Sequence, residues 1–196
     1  MKTLAMVALC GAASSAAAQV DMLVCVDDLD GDGRWVVTAE FLGEIPAGAT
    51  AIGALWADTN FTISGDGSDI NIDAASANPG YTSAIFGAPS ITNGSTAQFV
   101  GLQPGGGLGA PDASNPLSVV EFDYAGNPAA LGFELTSQNT ALFVGNPLEP
   151  FGTILTYLDV NGDAGSLSFD VVIKIPAPAS AALLGLGGLA TARRRR

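Results

Sequence analysis

The residues best suited to chemistry in this 196-residue chain are a run of carboxylates, Asp27-Asp28-Leu29-Asp30-Gly31-Asp32-Gly33. Calcium is held by several hard oxygens, and a loop with carboxylates at positions one, three and five and glycine at six is one pattern that wraps it. Asp28, Asp30 and Asp32 take positions one, three and five, with Gly33 at six. Position twelve, where a bidentate carboxylate would close the cage, is Ala39, and Glu40 comes one residue late. The flanks read as strands, so the expected site is an oxygen cage in a β-turn, not an EF-hand, with Ca2+ as the cofactor it would take. Asp, Asn and Gly also close tight hairpins with no metal at all. Asp159-Val160-Asn161-Gly162-Asp163, and Asp66 with Ser68 and Asp69, are weaker versions of the same pattern.

Catalytic machinery is sparse. The chain has no histidine, which removes the usual general base, triad partner and zinc ligand. Cys25 has no histidine to activate it, and neither lysine is placed for covalent work. A pair of carboxylates could still hydrolyse a glycosidic bond, but spacing alone selects no pair among 19 acids. The expectation is a protein that is not an enzyme and has no catalytic residue. Aromatic rings suited to sugar faces are Trp35, Trp56, Tyr81, Tyr124 and Tyr157. Trp35 follows the acidic turn and is the candidate glycan platform, and Trp56 lies within Ala54-Leu-Trp-Ala-Asp-Thr-Asn-Phe61; for either tryptophan a place in the core has the greater weight, since aromatics dominate buried area. Asn60-Phe-Thr62 and Asn93-Gly-Ser95 match the short glycosylation acceptor pattern.

The charge distribution limits the partners. All 19 acids lie between Asp21 and Asp170, and between Gln19 and Ile175 only Arg34 and Lys174 oppose them, a net charge of −17 for that body. Such a body repels phosphate backbones and anionic lipid, which need clustered Lys and Arg, so nucleic acid is excluded as a partner.

These residues must be positioned by short apolar runs separated by Gly, Pro, Asn and Asp clusters. The runs predict strands at 22–26, 35–42, 51–64, 69–73, 97–102, 117–124, 130–136, 141–144, 152–159 and 166–174. Leu167, Phe169 and Val171 share one face of the last strand, and Ile70 and Ile72 share one face of the fourth. No helical period appears between the two ends of the chain. With 48% hydrophobic residues, a packed core follows, and the expected fold is all-β: one antiparallel β-sandwich of Greek-key or jelly-roll type. The strand series with its acidic turns is similar to the cohesin-like and carbohydrate-binding-like sandwiches of bacterial surface proteins, an analogy of fold only. The glycine-rich stretch Gln103 to Asp112 lacks the lysine and helix start of a phosphate cradle and reads as a surface loop.

The ends carry addresses. Lys2, an uncharged run from Leu4 to Ala13 and small residues through Ala18 form a signal peptide, residues 1–18, cut after Ala18 by signal peptidase. Cys10 does not read as a lipidation site, because Leu9 stands where a small residue is required. Removal of the signal takes Cys10 with it and leaves Cys25 without a disulfide partner. The domain spans residues 19–175, and residues 176–196 follow as a tail: Pro176-Ala177-Pro178, an uncharged stretch from Ala179 to Ala192, then Arg193, Arg194, Arg195 and Arg196. The apolar stretch is shorter than the ~20 residues a spanning helix needs. Snorkelling arginines and bilayer thinning extend its reach, and the arginines stay cytoplasmic as a membrane stop.

Proline motif, short apolar helix and basic cluster together resemble the PEP-CTERM sorting tail of Gram-negative bacteria, and the Pro-Ala-Pro form resembles planctomycete members. Ala177 stands where the family's glutamate would be. The resemblance covers about the last 21 residues and implies processing by an exosortase-like enzyme and a route: export, a transient hold in the inner membrane, then the cell surface or extracellular space. The reading is therefore a structural or adhesive protein of the cell surface or extracellular matrix. The alternative is a secreted glycan-binding module that contacts extracellular polysaccharide, with or without calcium, and the third is a carboxylate-dependent hydrolase.

Overall fold

The computed structural model describes residues 22–28, 30–43, 51–103, 112–135, 141–145, 154–159 and 169–175. The expected signal peptide, the expected sorting motif Pro176-Ala177-Pro178, the uncharged stretch 179–192 and Arg193 to Arg196 lie outside them, as do residues 104–111 of the glycine-rich stretch and Asn161 with Asp163. Among the described residues, no helix is long and apolar enough to cross a membrane.

The alternating runs become eleven strands: β1 (Met22–Asp27), β2 (Arg34–Phe41), β3 (Ala51–Ser64), β4 (Ile70–Ile72), β5 (Ser90–Thr92), β6 (Thr96–Leu102), β7 (Leu117–Tyr124), β8 (Gly132–Leu135), β9 (Ala141–Gly145), β10 (Ile154–Asp159) and β11 (Phe169–Lys174). They form two sheets. Sheet A runs β11-β1-β2-β7-β4, and sheet B runs β10-β9-β3-β6-β5 with β8 also on β3. Buried residues of both sheets join in one hydrophobic cluster, so the two inner faces make a single core, as in a sandwich.

Two features differ from the sequence expectation. β1 and β11 pair in parallel, Met22 opposite Phe169 through Asp27 opposite Lys174, so the sheets are largely but not wholly antiparallel. A parallel neighbour leaves no local hairpin signature, because its partner comes from the far end of the domain. β5 was not expected; it is only three residues long and is recognisable by its register, Ile91 opposite Phe99. The described residues also include three single-turn 3-10 segments, at Ala74–Ser76, Pro79–Tyr81 and Pro128–Ala130. Asp73, Asn78 and Asn127 each precede one and accept a hydrogen bond from the amide two residues on.

The period of two decides what is inside. On β2, Trp35, Val37, Ala39 and Phe41 are buried while Arg34 is exposed. On β3, Phe61 and Ile63 point into the core, where Phe61 stacks on Phe99 at 5.2 Å and on Phe133 at 4.7 Å between ring centroids. The thiol of Cys25 is also buried.

Candidate functional sites on and beneath the two faces

The acidic turn connects β1 to β2. Its first carboxylate turns inward: Asp28 is buried, its Oδ1 accepts from the Gly31 amide at 2.8 Å and its Oδ2 from the Gly33 amide at 3.2 Å. Asp28 thus holds the turn shut through backbone amides. Gly33 adopts φ +88, a conformation that suits glycine, and its carbonyl accepts from the Tyr124 amide at 2.9 Å, fastening the turn to β7. Asp32 accepts from the Arg34 amide at 3.0 Å. Asp30 and Asp32 line a shallow depression of about 140 Å³ with Arg34, Trp35, Val36 and Glu121. Among the described residues, no three His, Cys, Asp or Glu side chains are grouped so that they could hold a metal ion.

The same depression contains a cation from the chain itself. Arg34 pairs with Glu121 at 2.6 Å, Asp73 at 2.9 Å and Asp123 at 3.3 Å. The hydrogen bonds to Asp73 and Glu121 push the guanidinium further into its charged form, and the bond from Arg34 holds Asp73 below the usual carboxylate range. Register explains the cluster: Arg34 faces Asp123 and Val36 faces Glu121 across β2 and β7, so outward residues of two strands converge. At the far side of sheet A, Lys174 pairs with Asp27 at 2.9 Å across the parallel β11–β1 ladder.

A second carboxylate is fixed at the β7 end. The amide of Asn127 donates to Asp66 at 2.8 Å and the amide of Ser68 at 3.1 Å, and these bonds, led by Asn127, lower Asp66 to about 2. The Asp66 amide donates to the Tyr124 hydroxyl, which in turn donates to the Asn127 carbonyl. Tyr124 is confined by glycines: a Cβ on Gly65 or Gly126 would fall within 2.6 Å of its ring or hydroxyl.

Beneath sheet B runs a buried polar chain. Trp56 sits at φ +53 where the pairing of β3 with β9 shifts register, a rare conformation for a bulky residue. Its carbonyl accepts from the Thr59 hydroxyl at 2.6 Å and the Tyr81 hydroxyl at 3.0 Å, so two side chains fix the strained backbone. Gln103, fully buried, donates to the Leu55 carbonyl at 2.8 Å and accepts from the Asp112 amide at 2.7 Å. Asn78 donates to Asp112 at 2.9 Å and to the Ser118 carbonyl at 2.9 Å. Burial raises Asp112, but the bonds from Asn78 and Ser114 outweigh it and leave the carboxyl below its ordinary value. Burial pushes the Tyr81 phenol up, so it remains a neutral donor. These groups splice the β3 bulge to the segments beside it.

The aromatic platforms are redistributed. Trp35 is 1% exposed and stacks on Phe122 at 6.2 Å, so its ring belongs to the core and offers no face to a sugar. The inward alternation of β2 is the reason. Trp56, Tyr81 and Tyr124 are buried as well, and the ring of Tyr157 lies outside the described side chains. Phe86 is the large exposed aromatic among the described residues, at 50%, beside Ile85 at 60%. Both sit on a tight turn closed by paired backbone bonds between Ser83 and Gly87, with the Phe86 amide donating to the Ser83 hydroxyl at 2.9 Å. In the sequence, Phe86-Gly-Ala-Pro89 carries turn chemistry alone, and nothing local announces an exposed ring.

Sheet B also presents an outward grid. Across β5, β6 and β3 one row reads Ser90, Val100, Asn60, and the next reads Thr92, Gln98, Thr62. Thr96 and Ser64 begin a third. The Gln98 amide donates to Asn60 Oδ1 at 3.3 Å. No formal charge occurs between Ala74 and Pro111, but Asp58 lies two residues before Asn60 on β3 and Glu134 of β8 stands opposite Thr62.

These features define an all-β, two-sheet protein whose sheet A carries a cluster of carboxylates around Arg34 and whose sheet B is mostly uncharged on its outer side. The chain matches no protein-family model, no curated protein and no solved structure.

Proposed function

We propose that this chain is a non-enzymatic structural or adhesive protein of the cell surface or extracellular matrix, exported by its N-terminal signal and sorted by a PEP-CTERM-like tail. The observation that carries the reading is the order Pro176-Ala177-Pro178, uncharged Ala179 to Ala192, then Arg193 to Arg196, behind an acidic body. The sandwich supports it as a scaffold that needs no active site, and the cohesin-like or carbohydrate-binding-like analogy belongs to the same reading. Its partners are signal peptidase, an exosortase-like enzyme and, while the tail persists, the membrane. The test is expression in an exosortase-bearing host with an epitope inside the body, followed by fractionation and intact mass. The expected product is extracellular, begins after Ala18 and lacks Arg193 to Arg196; a surface form that still ends at Arg196, or retention in the cytoplasm, overturns the proposal.

A second reading, a calcium-assisted glycan-binding module, draws on Asp30 and Asp32, which line the depression beside Glu121. Its test is the melting temperature in millimolar calcium. A rise that Asp30→Ala abolishes supports it, and no rise removes it.

A further inference from the structure

We infer that two copies of this chain pair edge to edge through β11, antiparallel about a twofold axis at Val172, and so join their A sheets into one. The pairing goes beyond the surface-protein reading and does not depend on it.

Sheet A ends on β4 at one side and on β11 at the other. The β4 edge is closed from within: Ile70 and Gly94 exchange backbone bonds of 2.7 and 3.1 Å, and the Ile72 amide donates to Asn93 Oδ1 at 2.8 Å. The β11 edge is closed in no such way. Among the described residues no strand lies beyond it, and the Val171 amide donates to the side chain of its own neighbour, Asp170 Oδ1, at 2.9 Å. An edge strand is a ready template for another strand, and a carboxylate that caps one amide is easily exchanged for a strand carbonyl. β11 has six residues for such a ladder, whereas β5, at an edge of sheet B, has three.

The pleat decides what the second strand meets. Val171 and Ile173 pack against the core, so Asp170, Val172 and Lys174 lie on the outer face. Backbone groups alternate between the two edges of a strand, and the Val171 amide, bonded to Asp170 and not to β1, marks 171 and 173 as the residues turned to the open edge. In an antiparallel pair, residues that exchange backbone bonds alternate with residues that do not, and the latter bring their side chains closer. Centring the pair on Val172 sets Val171 opposite Ile173 of the second copy as a bonded pair. It sets Asp170 opposite Lys174 of the second copy as a close pair, and the twofold axis repeats both. Centred on Val171, Asp170 would meet valine; centred on Ile173, Lys174 would. The register about Val172 is the one that matches the charges.

Charge also selects this edge. Each body carries −17, so two copies repel unless a cation stands where they meet. Arg34 lies on the central strand of sheet A, enclosed by three carboxylates, whereas Lys174 lies on the edge strand. Lys174 pairs with Asp27 at 2.9 Å, and an ammonium, with three donors, can bridge that carboxylate and Asp170 of the second copy. Exposed Val172 meets its own copy at the axis, which removes apolar surface from water.

The experiment is sedimentation equilibrium of the full-length chain from about 1 to 300 µM at low salt. The expected result is a monomer–dimer equilibrium with a Kd of order 10–100 µM, as suits a small, transient interface, weaker at about 0.5 M salt. Asp170→Lys, at an exposed position, sets ammonium against ammonium, and Lys174→Glu sets carboxylate against carboxylate; each alone raises Kd by roughly tenfold. Mixed in equal parts, the two variants are complementary: the introduced lysine faces the introduced glutamate, and native Lys174 faces native Asp170. The mixture is expected to dimerise about as tightly as the unmodified chain, a rescue that a folding defect in either variant would not give. A monomer at every concentration, a dimer indifferent to Asp170→Lys, or a mixture no tighter than its parts overturns the proposal. The association is measured on the purified chain, so its failure leaves the sorting proposal standing, and a sorting failure leaves this one standing.

Discussion

The two outer faces are built by the same alternation and differ in what fills the outward positions. On sheet A, Arg34, Glu121 and Asp123 alternate with buried neighbours, and a single guanidinium on β2 ties together three carboxylates, two from β7 and one from a turn. On sheet B, the outward positions of β5 and β6 and most of those on β3 are uncharged, with Asp58 and Glu134 on the side toward β9 and β8. Both sheets rest on the shared core; the outward side chains of face A add exposed ion pairs that salt and acid weaken, whereas beneath face B lie the Phe61–Phe99–Phe133 stack and the Thr59–Tyr81–Trp56 hydrogen bonds.

The contrast can be broken most forcefully from below. Phe61→Ala removes the ring shared by three aromatic stacks and is expected to cost ~3–5 kcal/mol, with the same loss in low and high salt by denaturant unfolding. Equal loss on both salt scales places the support of face B in its core; a strong salt dependence would erase the contrast. Thr59→Val leaves Tyr81 and the strained Trp56 carbonyl short of one partner and is expected to cost about 1–3 kcal/mol, read the same way.

On face A, Arg34→Ala leaves Asp73, Glu121 and Asp123 without their shared cation. The expected drop in Tm is clear at low ionic strength and shrinks at about 1 M salt, where the screening length is ~3 Å. Acid gives a related, smaller effect. Asp66 and Asp73 are depressed in the folded state, so their stabilisation is complete above the ordinary value of 3.8 and is lost as pH falls toward about 2. Thermal melts between these limits check the sign, and Arg34→Ala should lessen the acid sensitivity by releasing Asp73. The smallest effect is Gln98→Ala on face B, whose stability change is expected to stay within about 0.5 kcal/mol; a larger change would make Gln98 a structural residue.

Legibility followed the physics of each signal. β3 and β7 were readable to their last residue, because long β-branched and aromatic runs end in glycine, aspartate and asparagine. β5 was not, since three residues carry almost no period. The acidic turn was readable as a turn, but the inward rotation of Asp28 depends on amides three and five residues away. For Trp35 the place after the turn left a sugar platform open beside the weightier core position; the alternation of β2, in register with β7, puts it in the core.

The sequence by itself determined the all-β class, most strand positions, the acidic body and its lone arginine, because these depend on local period and on composition. Tertiary structure alone decided which outward residues meet. Asn60, Gln98 and Thr92 lie on three strands, and Arg34 is 39 residues from Asp73 and 87 from Glu121 along the chain. No local spacing encodes such neighbours; the pairing register does, and it is settled only when both inner faces have been buried against each other.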